Sequence, residues 1–143
     1  MLRMTFEDAA AKGMVVAWHA ARKPDRLAIS SERGDRTFSE LNAQANRLVG
    51  VLRGAGLMPG DGVALLCVNR PEFVETVMAC QRAGFRLTPV NWHLTAGEVA
   101  YIVENCEAKA FVADAGLAAA AVQAGRTAPT LRIKLAAGGP IEG

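Results

Sequence analysis

Between Arg26 and Asp114 the apolar positions alternate between a spacing of three to four and short unbroken runs, and each switch falls at a Gly, a Pro or a capping residue. Thr5-Phe6-Glu7-Asp8 is an N-cap followed by an acidic residue at the third helical position. It predicts a helix through about Ala21 carrying Phe6, Ala10, Met14, Ala17 and Trp18, stopped by Lys23-Pro24-Asp25. Leu27–Ser30 and Arg36–Phe38 flank the polar Glu32-Arg33-Gly34-Asp35, the pattern of a hairpin. Thr37-Phe38-Ser39-Glu40 is a capping box, and Leu41, Ala45, Leu48, Val49 and Leu52 then repeat at helical spacing until Gly54 and Gly56. After the turn Pro59-Gly60-Asp61, Val63–Val68 is wholly apolar, which means burial on both faces, as in a parallel sheet. Pro71 suits a first helical position, and the helix it opens closes near Gly84. A short strand Leu87–Val90, a third capping box at Thr95-Ala96-Gly97-Glu98 with its helix, and a strand Ala110–Ala113 complete the series.

Past Asp114 the pattern weakens to an alanine-rich surface helix over Ala115–Ala124, a turn at Gly125–Pro129 and a strand Leu131–Leu135 whose alternating polar residues suit an edge. The order of elements is that of an α/β fold, a partial doubly wound, mostly parallel sheet with flanking helices. Such a sheet needs cover on both faces, and the residues after Asp114 offer only a weak helix and one strand. An apolar surface over Val63–Val68 is therefore expected to stay open, and the chain to self-associate. The last residues, Gly138–Gly143, come before any phosphate-binding loop. Residues 1–143, best defined over 5–114, are thus expected to be the front of a larger enzyme.

Composition narrows the function. At 51% hydrophobic residues the chain can bury a core, and sixteen basic against fourteen acidic residues, scattered rather than striped, offer no footprint for nucleic acid. Cys67, Cys80 and Cys106 are odd in number, far apart and set in apolar stretches, which reads as reduced core thiols of a cytoplasmic protein. The segment from Met1 to Asp8 carries acidic residues where a signal peptide has its apolar stretch, and no window approaches the roughly 18 apolar residues of a membrane span. The expected location is cytoplasmic, or peripheral to a membrane.

Few residues suggest chemistry. Gly54-Ala55-Gly56 with Gly60 and Gly62 follows a helix and precedes a strand, the reverse of a phosphate cradle, so it reads as a cap and turn. Gly138-Gly139-Pro140 follows a strand but lacks Lys, Ser or Thr and reads as a loop. His19 and His93 each adjoin a tryptophan and have no ligand partner at metal spacing, so no metal site is expected. Asn91-Trp92-His93 lies just past the carboxyl end of a strand, where open α/β sheets bind ligands, and is the candidate for a cofactor or substrate crevice. The plainer reading is that Asn91 starts a turn, Trp92 packs on the next helix and His93 is solvated.

Together these residues resemble a known family. Arg36-Thr37-Phe38-Ser39-Glu40-Leu41, Asn46-Arg47-Leu48 and Gly56–Ala64 are similar to the first core motif of the adenylate-forming (AMP-binding) superfamily. Asn69-Arg70-Pro71-Glu72-Phe73, Ala83-Gly84, Pro89-Val90-Asn91, Leu94-Thr95 and Glu98 resemble the second motif of its acyl-CoA synthetases. Asn91, where amino-acid-activating relatives tend to carry aspartate, tilts toward that branch, while Arg86 departs from the small or apolar residues usual there. The resemblance implies an acid–thiol ligase: a carboxylate, here a fatty acid, attacks the α-phosphate of Mg-ATP to form an acyl-adenylate, and coenzyme A then displaces AMP. The family's phosphate loop, its later ATP-binding segments and its catalytic lysine have no counterpart in this chain. No catalytic residue is carried over, Thr37, Glu40, Gly60, Asp61 and Pro89 are given scaffold roles, and the chain alone is expected to bind no cofactor and to be inactive. The alternative is a stand-alone, non-catalytic α/β binding or interaction module.

Overall fold

The computed structural model describes residues 4–143; Met1–Arg3, part of the N-terminal stretch weighed above as a leader, lie outside the described residues. Thr5 caps its helix as expected, accepting from the Asp8 N–H while the Asp8 carboxylate accepts from the Thr5 N–H. The single helix expected through Ala21 is instead two, α1 (Phe6–Ala11) and α2 (Val15–Ala20). Gly13 makes the break: its φ is +66°, and a Cβ there would lie 2.6 Å from the Gln81 carbonyl oxygen. A neighbouring backbone occupies the space that a helical residue with a side chain would need.

β1 (Leu27–Ile29) and β2 (Arg36–Thr37) form the expected antiparallel hairpin. The capping box of Thr37 and Glu40 opens α3 (Phe38–Gly54), which buries Leu41, Ala45, Val49 and Leu52 along one face. β3 (Gly62–Leu66) follows, then α4 (Pro71–Ala83), which starts on its proline and ends on a left-handed Gly84. β4 (Arg86–Pro89), α5 (Ala96–Asn105) behind the Thr95–Glu98 capping box, and β5 (Ala108–Asp114) come next. Two boundaries shift near the end: α6 (Ala118–Thr127) runs through the expected turn at Gly125, and the edge strand β6 (Ile133–Ala137) starts two residues late.

The four long strands are parallel in the order β4-β3-β5-β6, with Val63 beside Ala110 and Val112 beside Leu135. Alternate residues feed two cores. Val63, Leu65, Ala110 and Val112 pack with α3 and α4, while Ala64, Leu66, Phe111 and Ala113 pack with α5 and α6. This alternation within unbroken apolar runs is what burial of both faces requires.

The expected open face over the central strand is not formed, since Val63, Ala64 and Leu65 are 0% exposed. The alanine-rich segment, expected at the surface, seals that side. Ala121 and Ala124 are buried, and α6 lies against α5 over the sheet. Small side chains shorten the distance between packed helices, so a helix with few large apolar residues can still close a core. A hollow of about 260 Å³ lies on the opposite face between α3, α4 and β6, where Leu48, Val51, Val112 and Leu135 are rimmed by Arg47, Glu72 and Glu75.

Candidate functional site

The carboxyl ends of β3, β5 and β6 meet around one guanidinium. Arg70 stands in the turn after β3, in extended backbone at the N-cap of α4, and its side chain is 11% exposed. Nε donates to Glu72 Oε2 at 2.8 Å and Nη1 to Asp114 Oδ2 at 3.2 Å. Asp114 is the last residue of β5; its other oxygen accepts the Gly116 N–H at 2.8 Å, capping the turn that leads to α6. Gly138, just past β6, has φ +81°, and a Cβ there would fall 2.0 Å from Arg70 Nη1. Glycine is thus needed at that position both for the backbone conformation and for the space the guanidinium fills.

Burial works to raise the Asp114 pKa, but the Gly116 N–H and the Arg70 guanidinium outweigh it and hold the carboxyl below its ordinary value. Glu72 is lowered in the same way, with burial opposed by Arg70. Arg70 is raised, by its hydrogen bond to Glu72 before all else. Cys67, directly after β3, sits against this carboxylate with Sγ 3.8 Å from Asp114 Oδ2. Burial, then the Asp114 charge, pushes its thiol up to about 12, and burial alone does the same for Cys80. Neither thiol is a nucleophile near neutral pH. All three cysteines are free, Cys67 and Cys80 in the core and Cys106 only partly buried. The cluster is a cross-brace: its carboxylates are committed to Arg70 and cannot serve as a general base.

Asn91-Trp92-His93 follows the end of edge strand β4. The Asn91 side-chain oxygen accepts the His93 N–H at 3.0 Å and its carbonyl the Leu94 N–H at 3.3 Å. Trp92 is 43% exposed and stacks on His93, with centroids 3.6 Å apart. The loop is a self-contained turn with an aromatic pair presented to solvent at the carboxyl edge of the sheet. The Arg70–Asp114 brace was not anticipated from sequence, although a signal was present: a charge closes the apolar run Ala110–Ala113 at Asp114, and another stands directly before a helix-opening proline at Arg70.

The glycines around residue 56 form a cap and turn as read. Gly56 and Gly60 have φ +88° and +90°, the Gly60 N–H donates to the Gly84 carbonyl at 2.7 Å, and Asp61 is held by Lys109 and the Met58 N–H. No N–H cradle opens a helix there. Among the described residues no group of three His, Cys, Asp or Glu side chains could hold a metal ion. No catalytic step is assigned to these residues.

Residues 16–140 match the AMP-binding enzyme family. A fatty acid–[acyl-carrier-protein] ligase of Streptomyces coeruleorubidus is 37% identical over 89 residues, covering 62% of this chain and 17% of that protein. A 2-succinylbenzoate–CoA ligase of Bacillus licheniformis is 40% identical over 86 residues, 60% of this chain and 18% of the relative. The fatty acyl CoA synthetase structure from Mycobacterium tuberculosis superposes with a TM-score of 0.78 at 29% identity, covering 87% of this chain and 26% of that one. The chain spans less than a fifth of these curated relatives, and it belongs to the AMP-binding enzyme family.

Proposed function

We propose that this chain is the N-terminal part of the large domain of an ATP-dependent acid–thiol ligase that activates a fatty carboxylic acid as its acyl-adenylate and passes the acyl group to coenzyme A. The observation that carries the reading is the match of residues 16–140 to one enzyme family, over a fold shared with a fatty acyl CoA synthetase. ATP, Mg and coenzyme A are engaged mainly by other parts of the complete enzyme, the Asn91-Trp92-His93 loop being the one candidate contact from the residues described above. The main contribution of this portion is mechanical: the Arg70 brace fixes the carboxyl edge of the sheet. Purified 1–143 should show no fatty-acid-dependent exchange of pyrophosphate into ATP, and the chain extended through the remainder of its coding sequence should show it. Exchange by 1–143 alone, or none by the extended protein, would refute the reading.

The alternative, a self-contained non-catalytic module, is separated from this one by association. Leu48, Val51, Val112 and Leu135, rimmed by Arg47, Glu72 and Glu75, form the hollow through which such a portion would contact a further chain, so sedimentation at micromolar concentration should show oligomers that bind a hydrophobic dye. A compact, dye-silent monomer favours the module.

Asn91, Trp92 and His93 are the crevice candidates of the complete enzyme. Because nearly half of Trp92 is in water, Trp92→Ala should cost less than about 1 kcal/mol of stability while raising KM for the acid or nucleotide several-fold. Lost stability with unchanged kinetics would make the tryptophan a packing residue.

A further inference from the structure

A recess of about 320 Å³ far along the chain from the carboxyl-edge loops is lined by His19, Lys23, Arg26, Leu27 and Phe38. Its construction is traceable to sequence. α2 ends at Ala20, and the chain then turns through Arg22-Lys23-Pro24-Asp25-Arg26 onto β1, held to the start of α3 by the Phe38 N–H on the Arg26 carbonyl (3.0 Å) and the Ser39 N–H on the Pro24 carbonyl (3.0 Å). His19 stacks on Phe38 with centroids 4.8 Å apart, which sets an imidazole and an aromatic ring side by side in the wall of the recess.

Two permanent cations and one imidazole thus face a single small space. Arg22, the remaining cation of the turn, is engaged elsewhere, over the Trp18 ring at 3.8 Å and on the Trp18 carbonyl. Lys23 and Arg26 belong to none of the ion pairs among the described residues, and the adjacent Asp25 pairs with neither. His19 Nδ1 is buried without a hydrogen-bond partner in the described structure. A buried polar nitrogen left unmade is costly, and like charges gathered without a counter-charge repel. The carbonyls at the end of α2 do not fill the need, since those of Ala17, Trp18 and His19 already accept from Ala21, Arg22 and Lys23.

We propose that this recess binds a phosphate monoester. Such a group carries a charge of about −1.5 to −2 near neutral pH and three acceptor oxygens. Its charge matches Lys23 and Arg26, its oxygens match an arginine fork, an ammonium and an imidazole N–H, and the apolar wall of Leu27 and Phe38 accommodates the carbon that bears it. A carboxylate would leave one cation unmatched. The site lies in the hairpin and helix region rather than at the carboxyl edge of the sheet, and it needs neither ATP nor fatty acid.

The test uses purified 1–143 with two probes, soluble glycerol 3-phosphate and phosphatidylcholine vesicles carrying phosphatidic acid. Glycerol 3-phosphate should shift the backbone NMR signals of His19, Lys23, Arg26, Leu27 and Phe38, with an affinity that falls as salt rises. The Lys23→Gln, Arg26→Gln double variant should lose at least about tenfold in affinity, whereas the charge-matched Arg47→Gln, Arg53→Gln variant on α3 should keep it. Binding to the vesicles alone, abolished by the same double variant, would assign the phosphate to a lipid headgroup. Acetate bound as tightly as glycerol 3-phosphate, equal losses in the two double variants, or no binding of either probe by protein with an unchanged circular dichroism spectrum would overturn the proposal.

Discussion

Asp114→Asn is expected to destabilise the chain by roughly 3 kcal/mol, at the lower end of the range for breaking one partner out of a buried ion pair. The side chain is 4% exposed, and its charge is matched by Arg70 at 3.2 Å and by the Gly116 N–H. The substitution keeps the shape and removes the charge, leaving the guanidinium with Glu72 alone; that remaining partner is why the lower end of the range applies. At a total stability of about 5–15 kcal/mol the change is large, and it should lower Tm by at least about 6 °C. The pH dependence carries the sign. A carboxyl whose folded pKa lies below its unfolded value, about 3.9 for Asp and about 4.3 for Glu, contributes stability that is present above that pH and is lost as the pH falls through the folded value. Asp114 and Glu72 both lie on this side. Glu75 opposes them: burial raises its carboxyl despite Arg36 at 2.9 Å, so its contribution improves as acid protonates it. Wild type should therefore lose stability on acidification toward pH 3, and Asp114→Asn should flatten that limb. A variant within about 0.5 kcal/mol of wild type, or one with an unchanged acid limb, would show that the brace carries no weight. Gly138→Ala gives an independent check, because a methyl 2.0 Å from Nη1 must displace the same guanidinium. Its cost should shrink in an Arg70→Met background, where nothing charged fills the space.

What was legible in the sequence and what was not divide along a physical line. The three capping boxes at Thr5, Thr37 and Thr95, the proline start at Pro71 and the glycine stop at Gly84 are satisfied by residues three or four positions away, and all appear as read. The unbroken apolar run of β3 reports burial on two faces directly, because a half-exposed strand would have to alternate. The misreadings depend on partners distant in sequence. Gly13 breaks a helix because the end of α4 passes over it. The alanines of α6 are buried because α5 is near enough for small side chains to fill the gap. Arg70, Asp114 and Gly138 come together only when three parallel strands align their carboxyl ends. The same limit applies to the candidate site. Asn91-Trp92-His93 was found by its place after a strand, a local property, and its turn is closed by its own atoms. The recess around Lys23 and Arg26 needs the hairpin to bring Phe38 beside His19, and nothing in their spacing announces it.

Phe111→Ala should cost still more, roughly 3–5 kcal/mol, the range for removing a buried phenyl ring. Phe111 is 1% exposed in the middle of β5, between β3 and β6, and its ring faces the core formed with α5 and α6. That core is rich in alanine, at Ala64, Ala100, Ala108, Ala113, Ala121 and Ala124, so the phenyl ring is its largest fully buried filler. Short neighbours have no side-chain length with which to reach into the space left behind, and the parallel backbone of β5 is fixed by hydrogen bonds on both sides. Collapse would need movement of α6 as a unit or of Ile141 at the edge of the core. A hollow of about 80 Å³ already adjoins the ring, beside Ala121, Val122 and Ile141, and loss of the phenyl would join the two spaces. The variant should therefore unfold at markedly lower denaturant concentration with an unchanged m-value, and Phe111→Leu should recover more than half of the loss because it refills most of the volume. A loss under about 1.5 kcal/mol for Phe111→Ala would mean that α6 closes onto the sheet by itself, and that the alanine helix, rather than the aromatic ring, seals this face.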